Sequence, residues 1–433
     1  MLTAFCNAAH WAIHCLLELP VRCLRPIARG RTGRLGGLLP HQWFFLLGIS
    51  GMFCVPHELW DNRYAAVFAA LMLLIYCWDL AALNKQGFDP LLPDSMWVFL
   101  VFCFLSCLWA WDRTGSLRVT VFFLAGFSMA AVSAAAFREP RARDTLFAAL
   151  YASLIFTSVY GLIVYYTREG TVLVPIDGVA IQRLCSTLEH GINYSEFVAM
   201  LLPPMLIWAL QRPNRALRVM LTALLLFPVA ALLLTYGRTG WVSLAAAVLV
   251  LLWLTERRLL VPAACLGIVC LFLLPHTVQS RLLTLLDFSD TGSSGRFTLW
   301  RECFALWREH WLWGVGLGPE NFFHAYLPVS TGTLPFLPPH SNMLYLDMAI
   351  SLGCPGFLAF LAFFFPVFPR LGRAMDRCGD PQERHRLAAL YASLFGAAVG
   401  AIPEYIWFYP RILFCWCILY GLALGSIKDT ADK

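Results

Sequence analysis

The sequence predicts an all-α polytopic membrane protein, and three observations lead to that fold class. Of its 433 residues 59% are hydrophobic and 13% are charged, whereas an ordinary soluble domain has roughly 25% charged residues. The hydrophobic residues fall in runs that are long enough to cross a bilayer, which takes about 20 residues per helix. A single long interval, 276–342, is too polar to lie in lipid.

The chain divides into three parts by composition. Residues 1–40 carry arginines behind a mixed apolar stretch, and a secretory signal has its positive charges in front of the apolar core instead. This part is predicted to be an interfacial, cytoplasmic segment, with a spanning helix at 2–20 as the alternative. Residues 41–427 form a single transmembrane domain, and 428–433 form a cytoplasmic tail.

Twelve apolar runs occur in the transmembrane domain, and each predicts a helix because backbone groups in lipid must be satisfied within their own segment. They predict about 12 spanning helices, with the large polar loop between the ninth and the tenth. The runs are 41–57, 64–83, 95–111, 119–137, 145–166, 195–210, 219–235, 241–255, 259–275, 343–368, 387–403 and 411–427.

The basic residues orient the chain. If the N-terminus is cytoplasmic, 21 of the 32 lysines and arginines fall on inner segments, including every lysine, and 11 arginines fall on outer ones. This bias follows the positive-inside rule, so the loop 276–342 faces outward. The net charge of +6 therefore reflects topology, and no nucleic-acid partner is predicted.

The outer basic residues are all arginines, whose planar fork matches phosphate oxygens. This favours a phosphate-bearing ligand on the outer face. Arg238 lies in the five-residue turn Tyr236-Gly237-Arg238-Thr239-Gly240, at the membrane boundary. It either binds a lipid headgroup or only anchors a helix end; the flanking glycines allow a backbone or a ligand to approach closely.

Arg296 follows a polar stretch that reads as a turn and a helix cap near Ser293, Ser294 or Gly295. In the first helical turn, the free backbone amides of the helix and the charge of Arg296 would together favour an anion. The alternative is a simple ion pair with Asp287 or Asp290. Residues 297–313 have helical periodicity, which predicts a helix on the outer surface with its tryptophans in the headgroup region.

His340 stands behind two prolines at the entrance of the tenth span, where the prolines hold it at a defined place. A histidine there is either a proton-transfer group or a structural residue. The earlier outer loop, 167–194, contributes Arg183, His190 and Asn193 as candidate phosphate and sugar ligands.

Two further patterns exclude functions. Gly314-Val315-Gly316-Leu317-Gly318 has no strand before it and no Lys-Ser/Thr after it, so it predicts a tight turn and not a nucleotide site. The acidic residues and the 15 cysteines lack metal spacing. A disulfide between Cys185 and Cys303 stays open, since both lie in predicted outer loops.

Taken in order, five motifs resemble the O-antigen ligase and polymerase superfamily of bacterial inner-membrane glycosyltransferases. They are Tyr236-Gly237-Arg238-Thr239-Gly240, Ser294-Gly295-Arg296-Phe297 with Trp300, Gly314-Val315-Gly316-Leu317-Gly318, Pro339-His340-Ser341-Asn342 and Gly353-Cys354-Pro355-Gly356. The resemblance implies a GT-C-like fold, a multi-pass protein in the inner membrane and an active site on the periplasmic face. The ligase is preferred, with the polymerase as second choice and a transporter as the alternative from another class.

For this chain the resemblance implies an inverting, metal-independent transferase that uses no cofactor. Its donor would be an undecaprenyl diphosphate-linked glycan and its acceptor the lipid A core oligosaccharide. By position, Arg238 and Arg296 would hold the diphosphate, His340 would assist the acceptor hydroxyl, and Arg183 matches an arginine of the earlier outer loop. His190 and Asn193 remain candidate substrate ligands from the same loop.

Overall fold

A computed structural model of the protein describes residues 18–25, 38–60, 62–82, 92–137, 139–167, 172–176, 179–273, 278–280, 291–334 and 337–431. Most of the predicted N-terminal segment, including 2–17, lies outside these ranges, as do Asp287 and Asp290.

Helices form nearly all of the regular structure in the described part of the chain. Their bounds are α1 Pro40–Cys54, α2 Asn62–Ala82, α3 Asp94–Ser106, α4 Arg113–Phe137, α5 Pro140–Thr167, α6 Gly191–Leu210, α7 Arg215–Leu224, α8 Leu226–Leu234, α9 Arg238–Thr255, α10 Leu260–Leu273, α11 Thr291–Glu309, α12 Pro319–Tyr326, α13 Leu344–Phe364, α14 Val367–Arg377, α15 Pro381–Gly400 and α16 Pro410–Ala431.

The fold is that of a multi-pass membrane protein. By length and apolar composition, eight helices within the described ranges are able to cross a membrane. They are Arg63–Ala82, Arg113–Ala136, Pro140–Thr167, Gly191–Leu210, Arg215–Leu234, Arg238–Thr255, Leu344–Arg377 and Pro410–Lys428. Each of the twelve apolar runs contains a helix, but the count of about 12 spans and the position of the outer loop stay predictions.

Close helix contacts at small residues build the centre of the bundle. α4 packs along α16, and α9 lies against both α6 and α15. A Cβ atom on Gly396 of α15 would be only 2.5 Å from the carbonyl oxygen of Ser243 in α9. In a membrane, where lipid is as apolar as leucine, such close approach is what favours helix association.

A short hairpin interrupts the helices between α5 and α6. Strand β1, Val172–Ile176, pairs antiparallel with β2, Val179–Arg183, and Val172 lies opposite Arg183. The backbone amide of Leu184 then donates to the carbonyl of Leu234 at 3.0 Å. The hairpin therefore ends against the turn between α8 and α9.

Helix α11 packs one stripe of its side chains against α12. Leu299, Cys303 and Leu306 are buried with Phe322 and Tyr326 of α12. Glu302 is buried with them and accepts hydrogen bonds from the Tyr326 hydroxyl and from Thr331. The tryptophan face remains partly exposed, which suits a helix that lies at the headgroup level.

The three glycines of 314–318 join the outer loop to a break in α13. Gly314, Gly316 and Gly318 all have positive φ, and so does Gly353 inside α13. The Val315 and Gly316 amides donate to the carbonyls of α13 residues 350 and 351 at 2.9 Å, and the Cys354 amide donates to the Trp311 carbonyl at 2.7 Å. The predicted tight turn is thus a short extended segment that pairs with an unwound point of the helix.

Candidate active site

Arg238 is the first residue of α9, directly after Gly237. The tight turn before it has Tyr236 at φ 51°, and the Gly237 amide donates to the Thr235 hydroxyl at 3.1 Å. The flanking glycines allow α9 to pack closely on α6, because Gly237 and Gly240 both lie against Ser195 of α6. The turn thereby fixes Arg238 at the N-terminal end of α9.

Arg183 is held next to this turn. Its Nε donates to the Thr235 carbonyl at 2.7 Å. Burial lowers the pKa of Arg183, and the positive charges of Arg296 and Arg238 act in the same direction. Since charges influence each other in this way only at short range, Arg238 and Arg296 both lie near enough to Arg183 for their charges to act on it. We refer to Arg183, Arg238 and Arg296 as the arginine cluster.

Arg296 lies in the second turn of α11, not in the first, because the helix already begins at Thr291. Its Nη2 donates to Glu404 Oε2 at 2.9 Å, and both side chains are mostly buried. The alternative partners Asp287 and Asp290 lie outside the described residues. Arg296 therefore has a carboxylate partner, but one from the loop between α15 and α16.

Glu404 was not predicted from the sequence as a site residue. Burial raises its pKa, while the charges of Arg296 and Arg183 oppose that increase. The signal for it was a lone glutamate in a short predicted outer loop, Pro403 to Pro410. That signal has no spacing to distinguish it from other surface acids.

His340 is buried beside Tyr405 and Phe408, with ring centroids 5.5 Å and 4.4 Å away. Its Nδ1 accepts the backbone amide of Asn342 at 3.1 Å. A backbone N–H is only a donor, so the neutral ring carries its hydrogen on Nε2. Burial, with the charge of Arg296 in addition, lowers the pKa of His340 to about 3. The ring is therefore neutral at physiological pH.

Asp347 holds the turn that carries His340 through hydrogen bonds with Ser341. The backbone amide and the hydroxyl of Ser341 both donate to Asp347 Oδ2 at 2.7 Å. Asn342 then takes a positive φ of 54° before α13 begins, a conformation that asparagine tolerates better than most residues. The prediction that His340 sits at a restrained helix entrance agrees with this geometry.

His190 and Asn193 are at the start of α6, beside a second buried arginine. The ring of His190 packs on Tyr409 at 5.6 Å, and burial lowers its pKa. The Asn193 amide reaches Glu189 Oε2 at 3.5 Å. Glu189 also lies 3.5 Å from Nε of Arg411, which is fully buried. These contacts give the two predicted ligands partners within the protein.

A cavity of about 330 Å³ opens beside the arginine cluster. Arg183 lines it together with Glu58, Tyr160 and Tyr165. Its volume is at the lower end of the roughly 300–1,000 Å³ of small-ligand sites. It leaves space beside Arg183 for a small group.

Residues 200–361 match the family model described as O-Antigen ligase. This segment belongs to the O-antigen ligase superfamily. The resemblance of the five motifs is thereby confirmed, and members of that superfamily are glycosyltransferase-like membrane enzymes that act on lipid-linked glycans. The matched O-antigen ligase segment contains Arg238, Arg296 and His340, whereas Arg183 and Glu404 lie outside it.

A solved structure titled "Structural coordination of polymerization and crosslinking by a peptidoglycan synthase complex" is similar to this chain at 19% identity. The similarity covers 78% of this chain and 97% of that one, with a TM-score of 0.47. No curated protein matches the chain.

Two other predictions concern metal binding and a disulfide bond. Among the residues that the structure describes, no group of three or more His, Cys, Asp or Glu side chains is arranged to hold a metal ion. Metal independence of the reaction stays a prediction. Cys185 and Cys303 are both free thiols, so the disulfide that the sequence left open does not form.

Proposed function

We propose that this protein is an O-antigen ligase that transfers a glycan from undecaprenyl diphosphate to the lipid A core oligosaccharide on the periplasmic face of the inner membrane. The observation that supports it is that Arg296 pairs with Glu404 and its charge acts on His340, while the charges of Arg238 and Arg296 both act on Arg183. Three arginines beside one carboxylate leave a positive site at the outer end of the bundle.

The arginine cluster suits a diphosphate leaving group. The bond from the anomeric carbon to the diphosphate oxygen breaks as the acceptor oxygen attacks, and the electron pair stays on the diphosphate. Guanidinium groups form paired, charge-assisted hydrogen bonds with phosphate oxygens. Preorganised cations that stabilise developing charge are usually the largest single contribution to such a reaction. Attack from the opposite side of the sugar ring inverts the anomeric carbon.

His340 is a poor base in this arrangement. Its Nδ1 lone pair is occupied by the Asn342 amide, and a group with a pKa of about 3 binds a proton weakly at neutral pH. Its Nε2–H instead donates a hydrogen bond. We therefore assign it the role of orienting the acceptor hydroxyl, not of removing its proton.

Glu404 is the better candidate for that proton. Arg296 neutralises its charge through the ion pair between them. When a diphosphate binds Arg296, the phosphate charge competes with the carboxylate, and the opposing effect of Arg296 on the pKa of Glu404 weakens. Burial then raises that pKa further, so Glu404 becomes a stronger base as the donor arrives. In this scheme the proton of the acceptor hydroxyl moves to Glu404.

A polymerase that extends the glycan on its polyprenyl carrier is the second candidate, because it would use the same donor and the same arginines. A transporter, from another class, would place ionisable groups along a path through the bilayer. The clustering of arginines at one end of the bundle favours transfer chemistry over transport.

The deciding experiment uses the purified chain in EDTA with an undecaprenyl diphosphate-linked glycan and a lipid A core acceptor. Arg238→Ala and His340→Ala are compared with Arg308→Ala, an exposed arginine of α11 that serves as the matched control. We expect glycan on the lipid A core with wild type and with Arg308→Ala, and a loss of about 100-fold or more in the other two. Chain growth on the carrier would identify a polymerase, and no transfer by folded wild type would refute the proposal.

A further inference from the structure

A second cavity, of about 370 Å³, lies between α4, the start of α12 and the segment 405–413. Its volume also falls in the range of small-ligand sites. Charged and aromatic side chains line it, among them Asp112, Arg118, Glu320, Trp407, Phe408 and Tyr409. No part of the mechanism above uses this cavity.

The cavity adjoins the turn that carries His340. Phe408 and Tyr405, which line the cavity, are the two rings packed on His340. Asp347, which fixes the turn, lines it as well. None of its lining residues is shared with the cavity at Arg183. Two separate spaces therefore lead toward the same site.

The two cavities differ in the charge of the side chains that line them. The second cavity is lined by three acidic side chains, Asp112, Glu320 and Asp347, and by a single cation, Arg118. Asp112 accepts hydrogen bonds from the Gly115 amide at 3.0 Å and the Thr114 hydroxyl at 2.7 Å, and these bonds lower its pKa. An ionised carboxylate only accepts hydrogen bonds. The carboxylates in the lining repel a diphosphate, whereas the hydroxyl groups of a ligand can donate hydrogen bonds to them.

Asn321 joins the two backbone segments that carry Asp112 and Glu320. The Asp112 amide donates to Asn321 Oδ1 at 2.7 Å, and Asn321 Nδ2 donates back to the Asp112 carbonyl at 3.1 Å. This pair of bonds joins the first turn of α12, which carries Glu320, to the residue before α4. The cavity is thus formed before any ligand binds, which lowers the entropic cost of binding.

A pyranose ring matches this combination of groups. Its hydroxyls donate to carboxylates, while its C–H faces pack on aromatic rings of the kind that Trp407, Phe408 and Tyr409 supply. We propose that the second cavity binds the terminal neutral sugar of the acceptor glycan and presents a hydroxyl past Phe408 to His340. The assignment of this sugar as the acceptor rests on the proposed function; its binding in the cavity is a separate claim.

The test measures binding without turnover. Saturation-transfer NMR is recorded on the full chain in detergent with two probes, a lipid-free core oligosaccharide and a lipid-free repeat-unit oligosaccharide. Glu320→Ala and Asp112→Asn are compared with Glu309→Ala, an exposed carboxylate of α11 that does not line the cavity. Hydrogen bonds to a charged group are each worth about tenfold or more in affinity.

We expect one of the two sugars to bind wild type and Glu309→Ala equally, and to bind Glu320→Ala and Asp112→Asn at least about tenfold more weakly. A polyprenyl diphosphate should not displace it. Binding of the core oligosaccharide marks the ligase reaction, and binding of the repeat unit marks the polymerase reaction. The proposal is overturned if neither sugar binds, if both cavity variants bind like wild type, or if the diphosphate competes.

These outcomes stay separate from those of the transfer assay. Sugar bound in the cavity of a protein that transfers no glycan would contradict the proposed function and leave the cavity assignment intact. Transfer by wild type with unchanged acceptor KM in Glu320→Ala would contradict the cavity assignment alone.

Discussion

Gly240→Ala tests whether the contact between α6 and α9 sets the position of Arg238. A Cβ atom at residue 240 would lie 2.8 Å from the backbone carbonyl carbon of Ser195, and closer still to its side chain. Ordinary contacts of this kind begin at 3.4 Å. Because one of the atoms belongs to the backbone, α9 must move away from α6 by at least about 0.6 Å, the difference between those two values.

Two effects follow from that displacement. Overpacking costs about 1–3 kcal/mol of stability, and small residues at helix contacts matter most in lipid. Arg238 begins the same helix, and a misplacement on the order of 1 Å costs about 100-fold in rate. We therefore expect Gly240→Ala to lower the thermal unfolding temperature in detergent and to reduce glycan transfer by about tenfold to 100-fold.

The matched control is Gly267→Ala in α10, where an added Cβ meets nothing within 4 Å. It should leave both the unfolding temperature and the transfer rate unchanged. The double variant Gly240→Ala with Ser195→Gly should recover part of the loss, because it removes the side-chain part of the overlap. If Gly240→Ala behaves like Gly267→Ala, the packing argument is wrong.

Three more predictions concern buried charged or titratable groups. Arg411→Met removes the Nη1 bonds to the carbonyls of Val55 (2.9 Å) and Thr187 (2.8 Å), so we expect a loss of about 2–4 kcal/mol in detergent unfolding; a Met variant as stable as wild type would contradict this. His340 has a pKa of about 3 in the folded chain against 6.5 in the unfolded chain. Between these pH values the unfolded chain binds a proton on His340 that the folded chain does not. Stability should fall by up to about 1.4 kcal/mol per pH unit from pH 6.5 toward 4, and less steeply in His340→Gln; equal slopes would refute the assignment. Glu404→Gln should reduce glycan transfer by about 100-fold or more, while Glu404→Asp keeps part of the rate and shifts its acidic limb; equal activity of the Gln variant would exclude Glu404 as the base.

The helical character and the superfamily were predictable because both depend on local sequence. In lipid a long apolar run has few options besides a helix, and the motifs around Arg238, Arg296 and His340 are contiguous. Their meeting at one place was an inference from the resemblance. The structure adds the bond between Arg296 and Glu404, which joins residues 108 positions apart.

What could not be predicted depends on tertiary contacts. The hairpin is an exception: Asp177-Gly178 between apolar segments is a hairpin signal, so β1 and β2 could have been predicted from that pair. The roles of Glu404 and Arg411 could not have been predicted, because a lone charge near a helix end looks like any surface residue. The tautomer of His340 follows from the left-handed turn at Asn342, and the sequence shows only that asparagine is there.

The break in α13 determines how the outer loop unfolds. A continuous helix would bond the Cys354 amide to the carbonyl of residue 350, and would leave the carbonyl of Ser351 without a donor because Pro355 has no N–H. The outer loop provides the missing partners, since Val315 and Gly316 donate to 350 and 351 and Trp311 accepts from Cys354. The loop and the helix therefore complete each other's backbone bonding.

Such mutual completion makes the two segments one cooperative unit. Lifting the loop away would expose backbone groups of α13 where water is scarce, at a cost of several kcal/mol for each group in hydrocarbon. The amides of Val315, Gly316 and Cys354 should therefore exchange hydrogen for deuterium at one common, slow rate. We therefore expect the segment 311–316 to stay bonded to α13 while substrate binds and product leaves.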